Sequence, residues 1–210
     1  MNGMFHGGGP RTRRLLSFLH RREQQKGPKR HDLDRLAQKA LFRPRGVVFT
    51  DTADFTATTA RYGIVHFLMI FNRLVEAVDP VLKEARGRIV KVEADSLLLD
   101  FPGADDACRG VIALERLLRR VNTGRPQNER LHFGYGIGFG EILDIERDMF
   151  GLEVNLASKI GEDMARPGEA LLTPAAAEAI GPQMKARLMP YTTARFGRDA
   201  YTITRLRLPR

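Results

Sequence analysis

Residues 88–101, RIVKVEADSLLLDF, constrain what this chain can fold into more than any other stretch. Ile89, Val90 and Val92 precede a small polar break at Ala94, Asp95 and Ser96, and Leu97, Leu98, Leu99 and Phe101 follow it. That pattern predicts two short strands joined by a tight turn. Strand alternation puts Lys91 and Glu93 on one face, opposite Val90 and Val92. A hairpin with an aspartate at its tip and a lysine in its stem carries charge on an otherwise apolar element, which makes it a candidate site.

The flanking segments supply the rest of a sheet. Residues 46–51, GVVFTD, form a short apolar run that reads as a buried strand ending in Asp51. Residues 62–84 place Ile64, Phe67, Leu68, Phe71, Leu74, Val75 and Val78 on one helical stripe, with an interruption expected near Pro80. Residues 104–121 give a second amphipathic helix, 131–143 a glycine-rich strand, 154–165 a helix, and 170–172 and 201–206 closing strands. The order strand, helix, strand, strand, helix, strand predicts an α+β fold, a ferredoxin-like βαββαβ sandwich with helices on one face of an antiparallel sheet and the other face open. Gly134, Gly136, Gly138 and Gly140 lack the lysine and spacing of a phosphate-binding loop, so that reading is rejected.

Charge separates the chain into two parts. Of 34 Lys and Arg and 25 Asp and Glu, residues 1–46 hold 12 and 3, so the remainder has 22 of each and is neutral. The net charge of +9 therefore belongs to an extension at 1–45, and a nucleic-acid partner is not expected for the body at 46–210. Residues 1–10, with Gly7, Gly8, Gly9 and Pro10, read as disordered. Leu15, Leu16, Phe18 and Leu19 among Arg11, Arg13, Arg14, Arg21 and Arg22 read as a basic amphipathic helix, suited either to an anionic membrane surface or partner protein, or to packing on the body. Leu33, Leu36, Ala37, Ala40 and Leu41 suggest another short helix before Pro44. The single cysteine, Cys108, excludes a disulfide framework and fits a cytoplasmic setting, and no apolar run approaches membrane-spanning length.

Asp51 and Asp95 fall at the ends of strands that would neighbour each other. Paired carboxylates without a His or Cys cluster suit hard cations such as Mg²⁺ or Mn²⁺; equally, one could be a turn residue and the other a helix cap. Four segments taken together resemble the class III nucleotidyl cyclase catalytic domain, the family of adenylate and guanylate cyclases. VVFTDTADFT at 47–56 resembles its first metal segment, and KVEADSLLLDF at 91–101 its K-x-x-G-D hairpin. GIGFGEI at 136–142 is similar to its G-I-H-T-G strand, and DMFGLEVNLASK at 148–159 to its D-x-W-G-x-x-V-N-x-A-S-R segment.

The resemblance implies an adenylate cyclase making 3′,5′-cyclic AMP and pyrophosphate from ATP for signal transduction. It implies that Asp51 and Asp95 bind two Mg²⁺ or Mn²⁺ ions, that Lys91 and Asp148 read the purine, that Asn155 holds the ribose and that Lys159 steadies the reacting phosphate. Phe55 and Thr56 belong to the substrate-binding set through the first segment. A head-to-tail homodimer with two equivalent sites is implied, Asp51 and Asp95 coming from one protomer and the remainder from the other. A lysine that donates to a ring nitrogen and an aspartate that accepts from an exocyclic amine suit adenine; guanine offers that aspartate a carbonyl.

The chain also departs from the family's pattern. Lys159 stands where an arginine is expected, losing the planar fork; Ala94 and Asp54 replace glycines; and the family's phosphate-binding lysine has no clear match, Arg195 or Arg198 being the available substitutes. Asp54 and Glu93 read as carboxylates outside the metal shell. These departures keep two alternatives in view: a weakly catalytic nucleotide-binding module, and a guanylate cyclase.

Overall fold

The computed structural model describes residues 8–209. The chain runs through α1 (Pro10–Glu23), α2 (Pro28–Leu41), β1 (Phe42–Thr52), α3 (Phe55–Tyr62), α4 (Ile64–Glu84), β2 (Arg88–Glu93), β3 (Ser96–Phe101) and α5 (Ala104–Asn122). It continues with β4 (Phe133–Asp144), β5 (Met149–Phe150), α6 (Leu152–Asp163), β6 (Ala170–Leu172), α7 (Pro174–Ala179), α8 (Pro182–Lys185), β7 (Leu188–Phe196) and β8 (Asp199–Leu206).

The strands make one sheet in the order β2-β3-β1-β4-β6-β8-β7, with β5 folding back on the end of β4. Its first four strands pair antiparallel in the ferredoxin-like order that the sequence predicts. Only the β4–β6 pairing is parallel. Strand alternation divides the residues between two faces. Val48, Leu97, Leu99 and Phe101 meet Phe67, Phe71, Leu74 and Val78 of α4 and Val111, Leu114 and Leu118 of α5 in the main core. Val47, Leu98 and Ile142 point the other way.

That second face is not open throughout. α6 lies across β1 and β4, and Val154 and Ala157 close a smaller apolar layer with Val47 and Leu98. The alternating glycines of β4 make room for it. A Cβ at Gly134 would stand 2.7 Å from Ala165 O, one at Gly138 2.6 Å from Glu153 O, and one at Gly136 would run into Ala157 O. From Gly134 to Gly140 every second residue of β4 is therefore bare so that a helix backbone can rest on the strand, while Phe133, Tyr135 and Ile137 fill the opposite face.

Two further sequence expectations are corrected, and two elements were not anticipated. α4 runs unbroken through Pro80, because Val78 and Leu82, one turn apart and fully buried, hold the helix across the missing amide. Pro10 begins α1 rather than belonging to a disordered tail; a proline suits a first helical turn, and residues 1–7 lie outside the described residues. α3 was invisible as a helix because FTATTARY offers no apolar stripe. β7 was missed because its register breaks between Pro190 and Thr192.

Candidate active site

Asp51 lies one residue before the end of β1, and Asp95 in the turn between β2 and β3. The pairing of Thr50 with Leu97 makes those two ends neighbours. Burial, then the charge of Asp95, then that of Glu162 on α6 push the Asp51 carboxyl up to about 6. A hydrogen bond from Ser96 pulls against this shift. Burial likewise raises Asp95. Neither carboxylate forms an ion pair among the described residues, so two like charges share a partly desolvated place without a cation to balance them. That chemistry fits a hard divalent ion bound by oxygen. No cluster of three or more His, Cys, Asp or Glu suited to a metal occurs among the described residues, so Asp51 and Asp95 would be the protein's own share of the ligands.

Lys91 and Asp148 also come together. Lys91 Nζ lies 2.8 Å from Glu93 Oε2 and 3.5 Å from Asp148 Oδ2, and Asp148 Oδ1 accepts the amide of Met149 at 2.9 Å. Glu93 first, and Asp148 after it, raise the Lys91 pKa, so the ammonium stays charged. Strict alternation fails at one residue here. β2 bulges between Ile89 and Lys91, and Val90 turns to the same side as Lys91, where it packs on the layer that holds Leu98. Lys91 and Glu93 do share a face, as their ion pair requires.

The remaining residues take these places. Asn155 and Lys159 sit one turn apart on the exposed side of α6, and Lys159 Nζ pairs with Asp163 at 3.3 Å. Phe55 turns its ring edge-on to Phe67, with centroids 4.7 Å apart, so its side chain serves the core, while Thr56 beside it is exposed. Asp54 precedes α3 with φ 63° and is exposed. Ala94 adopts φ 50°, the left-handed region that explains a glycine preference at this turn. Arg195 and Arg198 are exposed on the β7–β8 hairpin, at the sheet edge away from β2.

Sequence reasoning passed over the residues that hold the carboxylates in place. Thr50 Oγ1 accepts the amide of Leu97 at 3.0 Å, and Thr52 Oγ1 donates to Asp95 O at 2.5 Å. These buried hydroxyls flank Asp51 and tie the hairpin tip to β1. The signal was the alternation T-D-T, two polar residues on the core side of a strand. A chain of ion pairs was also missed: Arg45 and Arg88 both bind the buried Asp100, Arg88 Nη2 reaches Asp144 at 2.9 Å, and Arg11 of α1 binds Asp144 too.

Comparison with known proteins agrees with this frame. No family model matches the chain. A putative adenylate cyclase 3 of Rhizobium meliloti (strain 1021) is 29% identical over 100 residues, 48% of this chain and 17% of that protein. An uncharacterized protein of Mycobacterium tuberculosis (strain ATCC 25618 / H37Rv) is 26% identical over 126 residues, 60% of this chain and 32% of that protein. The chain thus spans a third or less of the length of these curated relatives. Among solved structures, an adenylate/guanylate cyclase/hydrolase from Silicibacter pomeroyi superposes with TM-score 0.67 at 21% identity, covering 80% of this chain and 98% of that one. The catalytic core of a rhodopsin-guanylyl cyclase with converted specificity, in complex with ATPαS, superposes with TM-score 0.69 at 17% identity, covering 80% and 97%. The fold is that of the class III adenylate/guanylate cyclase catalytic domain. No helix among the described residues is long and apolar enough to cross a membrane.

Proposed function

We propose that this chain is an adenylate cyclase that converts ATP to 3′,5′-cyclic AMP and pyrophosphate at sites shared between two copies, with residues 1–45 as a regulatory or localising arm. The observation that carries this reading is the spacing on one hairpin. Asp95 at its tip joins Asp51, while Lys91 in its stem joins Asp148, and strand rise separates the two groups by on the order of 10 Å. A carboxylate pair and a base-reading pair held apart in this way suit different sites of a symmetric dimer. Ile64, Val65, Leu68 and Met69 on α4 are exposed, an apolar strip that a partner chain would remove from water.

The roles follow from the groups. Lys91 donates to a purine ring nitrogen and Asp148 accepts from the exocyclic amine, which favours adenine. Asn155, on the outer side of α6, holds the ribose so that its 3′-oxygen is in line with the α-phosphorus. Lys159 brings positive charge to the phosphate as pyrophosphate leaves. Asp51 and Asp95 would hold two Mg²⁺ or Mn²⁺ ions, which when bound lower the hydroxyl pKa and neutralise developing charge.

Purified protein with ATP and Mn²⁺ should form cyclic AMP, and Asp95→Ala should abolish it while the thermal transition is retained. Undetectable product at high enzyme concentration overturns the catalytic reading. A second reading, a nucleotide-binding module of low turnover, is favoured by Lys159, a point charge already paired with Asp163. Tight ATP binding without turnover, with activity gained on Lys159→Arg, supports that second reading.

A further inference from the structure

The first turn of α1 has no cap of its own: Gly9 precedes it, and the turn contains no acidic residue. Glu146, in the turn between β4 and β5, caps it from the body. The Arg11 amide donates to Glu146 Oε1 at 2.6 Å and the Thr12 amide to Oε2 at 3.2 Å. A carboxylate there satisfies otherwise unpaired amides and meets the positive end of the helix dipole. Thr12 Oγ1, almost fully buried, lies 2.7 Å from Glu146 Oε2 and 3.1 Å from Ile145 O, so its one proton serves either acceptor. Leu15 continues the contact, packing with Leu41, Leu143 and Ile145.

The turn gripped in this way is the one that carries Asp148. Ile145 N donates to Asp148 O at 3.0 Å and Arg147 N to Ile145 O at 2.8 Å, closing the turn on itself. Glu146 is held at φ 68°, a backbone conformation that a side chain keeps only when its surroundings fix it. Arg88, on the same strand as Lys91, donates to Glu146 O at 3.2 Å. One side of the turn is thus fastened to the N-terminal arm, and the other presents Asp148 to Lys91.

We infer that Glu146 and Thr12 are positioning residues: the docked first turn of α1 sets where the Asp148 carboxylate stands, and through it how the Lys91–Asp148 pair discriminates between purines. This rests on the proposed reading that this pair recognises the base. It gives the basic arm a physical route to the site, because pulling α1 away frees the turn.

The test is initial-rate kinetics of the full chain with ATP and with GTP in Mn²⁺. The variants are Glu146→Ala, Glu146→Gln, Thr12→Val, Asp148→Ala and the Glu146→Ala/Asp148→Ala double variant, each checked by thermal melting. Where turnover is slow, competition of ATP and GTP against a fluorescent ATP analogue gives the corresponding ratio of affinities. Glu146→Ala and Thr12→Val should raise KM for ATP and narrow the ATP:GTP ratio of kcat/KM by about 3- to 30-fold, leaving kcat within about 2-fold. Glu146→Gln, which keeps an acceptor oxygen, should recover part of the loss. In the Asp148→Ala background, Glu146→Ala should change the ratio no further. If Asp148→Ala narrows the ratio while Glu146→Ala and Thr12→Val do not, or if Glu146→Ala acts equally without Asp148, the positioning role is wrong. If Asp148→Ala itself leaves the ratio unchanged, the base reading falls, and this inference falls with it.

Discussion

Lys91 Nζ stands 3.5 Å from Asp148 Oδ2 while also holding Glu93 at 2.8 Å, so a single ammonium bridges the stem of the hairpin to the turn after β4. The two residues offer a donor and an acceptor side by side. That is the complement of the adenine edge and a mismatch to the guanine carbonyl.

Asp148→Asn keeps the shape of the side chain and adds a donor. The proposed function therefore predicts that GTP use rises relative to ATP by about 10- to 100-fold, the range for losing or gaining one charge-assisted hydrogen bond. Stability should change by less than about 1 kcal/mol, because both side chains are about a third exposed. Parallel product assays with the two nucleotides, alongside a melting curve, check both halves. An unchanged nucleotide preference contradicts the assignment.

Asp51 predicts a pH dependence of definite sign. Its carboxyl is raised to about 6 by burial and by Asp95, so the folded chain holds a proton there that the unfolded chain releases near 4. The stability this contributes is fully present below pH of about 4 and is lost as pH rises through about 6. At pH 8 the metal-free protein should therefore gain from Asp51→Asn. The gain is about 1 kcal/mol after discounting for solvent, or roughly 2–4 °C in Tm. The same substitution should remove the Tm increase that Mn²⁺ gives. In the native chain that increase should fade below pH 6, where protons compete with the ion. Scanning calorimetry at pH 5 and pH 8, with and without Mn²⁺, measures all of these shifts.

The sequence carried the sheet because its strands are long or strongly apolar: GVVF and LLLDF bury alternate residues on both sides, and no helix has that periodicity. It also carried the residue types of the candidate site, since Asp51, Lys91, Asp95 and Asp148 stand in motifs whose order survives without geometry. Three things were hidden. Val90 gave no sign of its bulge, because a bulge is set by pairing with β3 rather than by local composition. The glycines of β4 read as part of a strand but gave no sign of the helix backbone that rests on them. The cap that Glu146 gives α1 joins residues 135 positions apart, beyond the reach of any pattern of neighbours.

Thr52 tests whether the hairpin tip must be held for the carboxylates to work together. Its hydroxyl is the side-chain donor to Asp95 O, at 2.5 Å. Thr52→Val preserves the β-branched shape and leaves that carbonyl without the bond, at a cost of about 1–2 kcal/mol. For a chain of 210 residues this lowers Tm by roughly 2–8 °C. If Thr52 sets the spacing of Asp51 and Asp95, kcat should fall more than the loss of folded protein explains, and the Mn²⁺ concentration for half-maximal rate should rise. A melting shift with unchanged Mn²⁺ dependence would assign the hydroxyl to stability alone.

Gly136 tests how α6, with Asn155 and Lys159, is held at the site. Facing α6, this residue has the helix backbone against it, so a methyl group at Gly136 meets Ala157 O and Gly161 N rather than a side chain that could rotate away. The strand cannot yield either, because the core packs Tyr135 and Ile137 against its other side with no exposed area. Gly136→Ala must therefore lift the helix, and overpacking of this kind costs about 3 kcal/mol. Expected outcomes are a Tm lower by roughly 6–12 °C and, well below the transition, a loss of cyclic AMP formation larger than that of Lys159→Ala, since both Asn155 and Lys159 move together. A Gly136→Ala protein with native melting and native rate would mean that α6 does not rest on β4 as described.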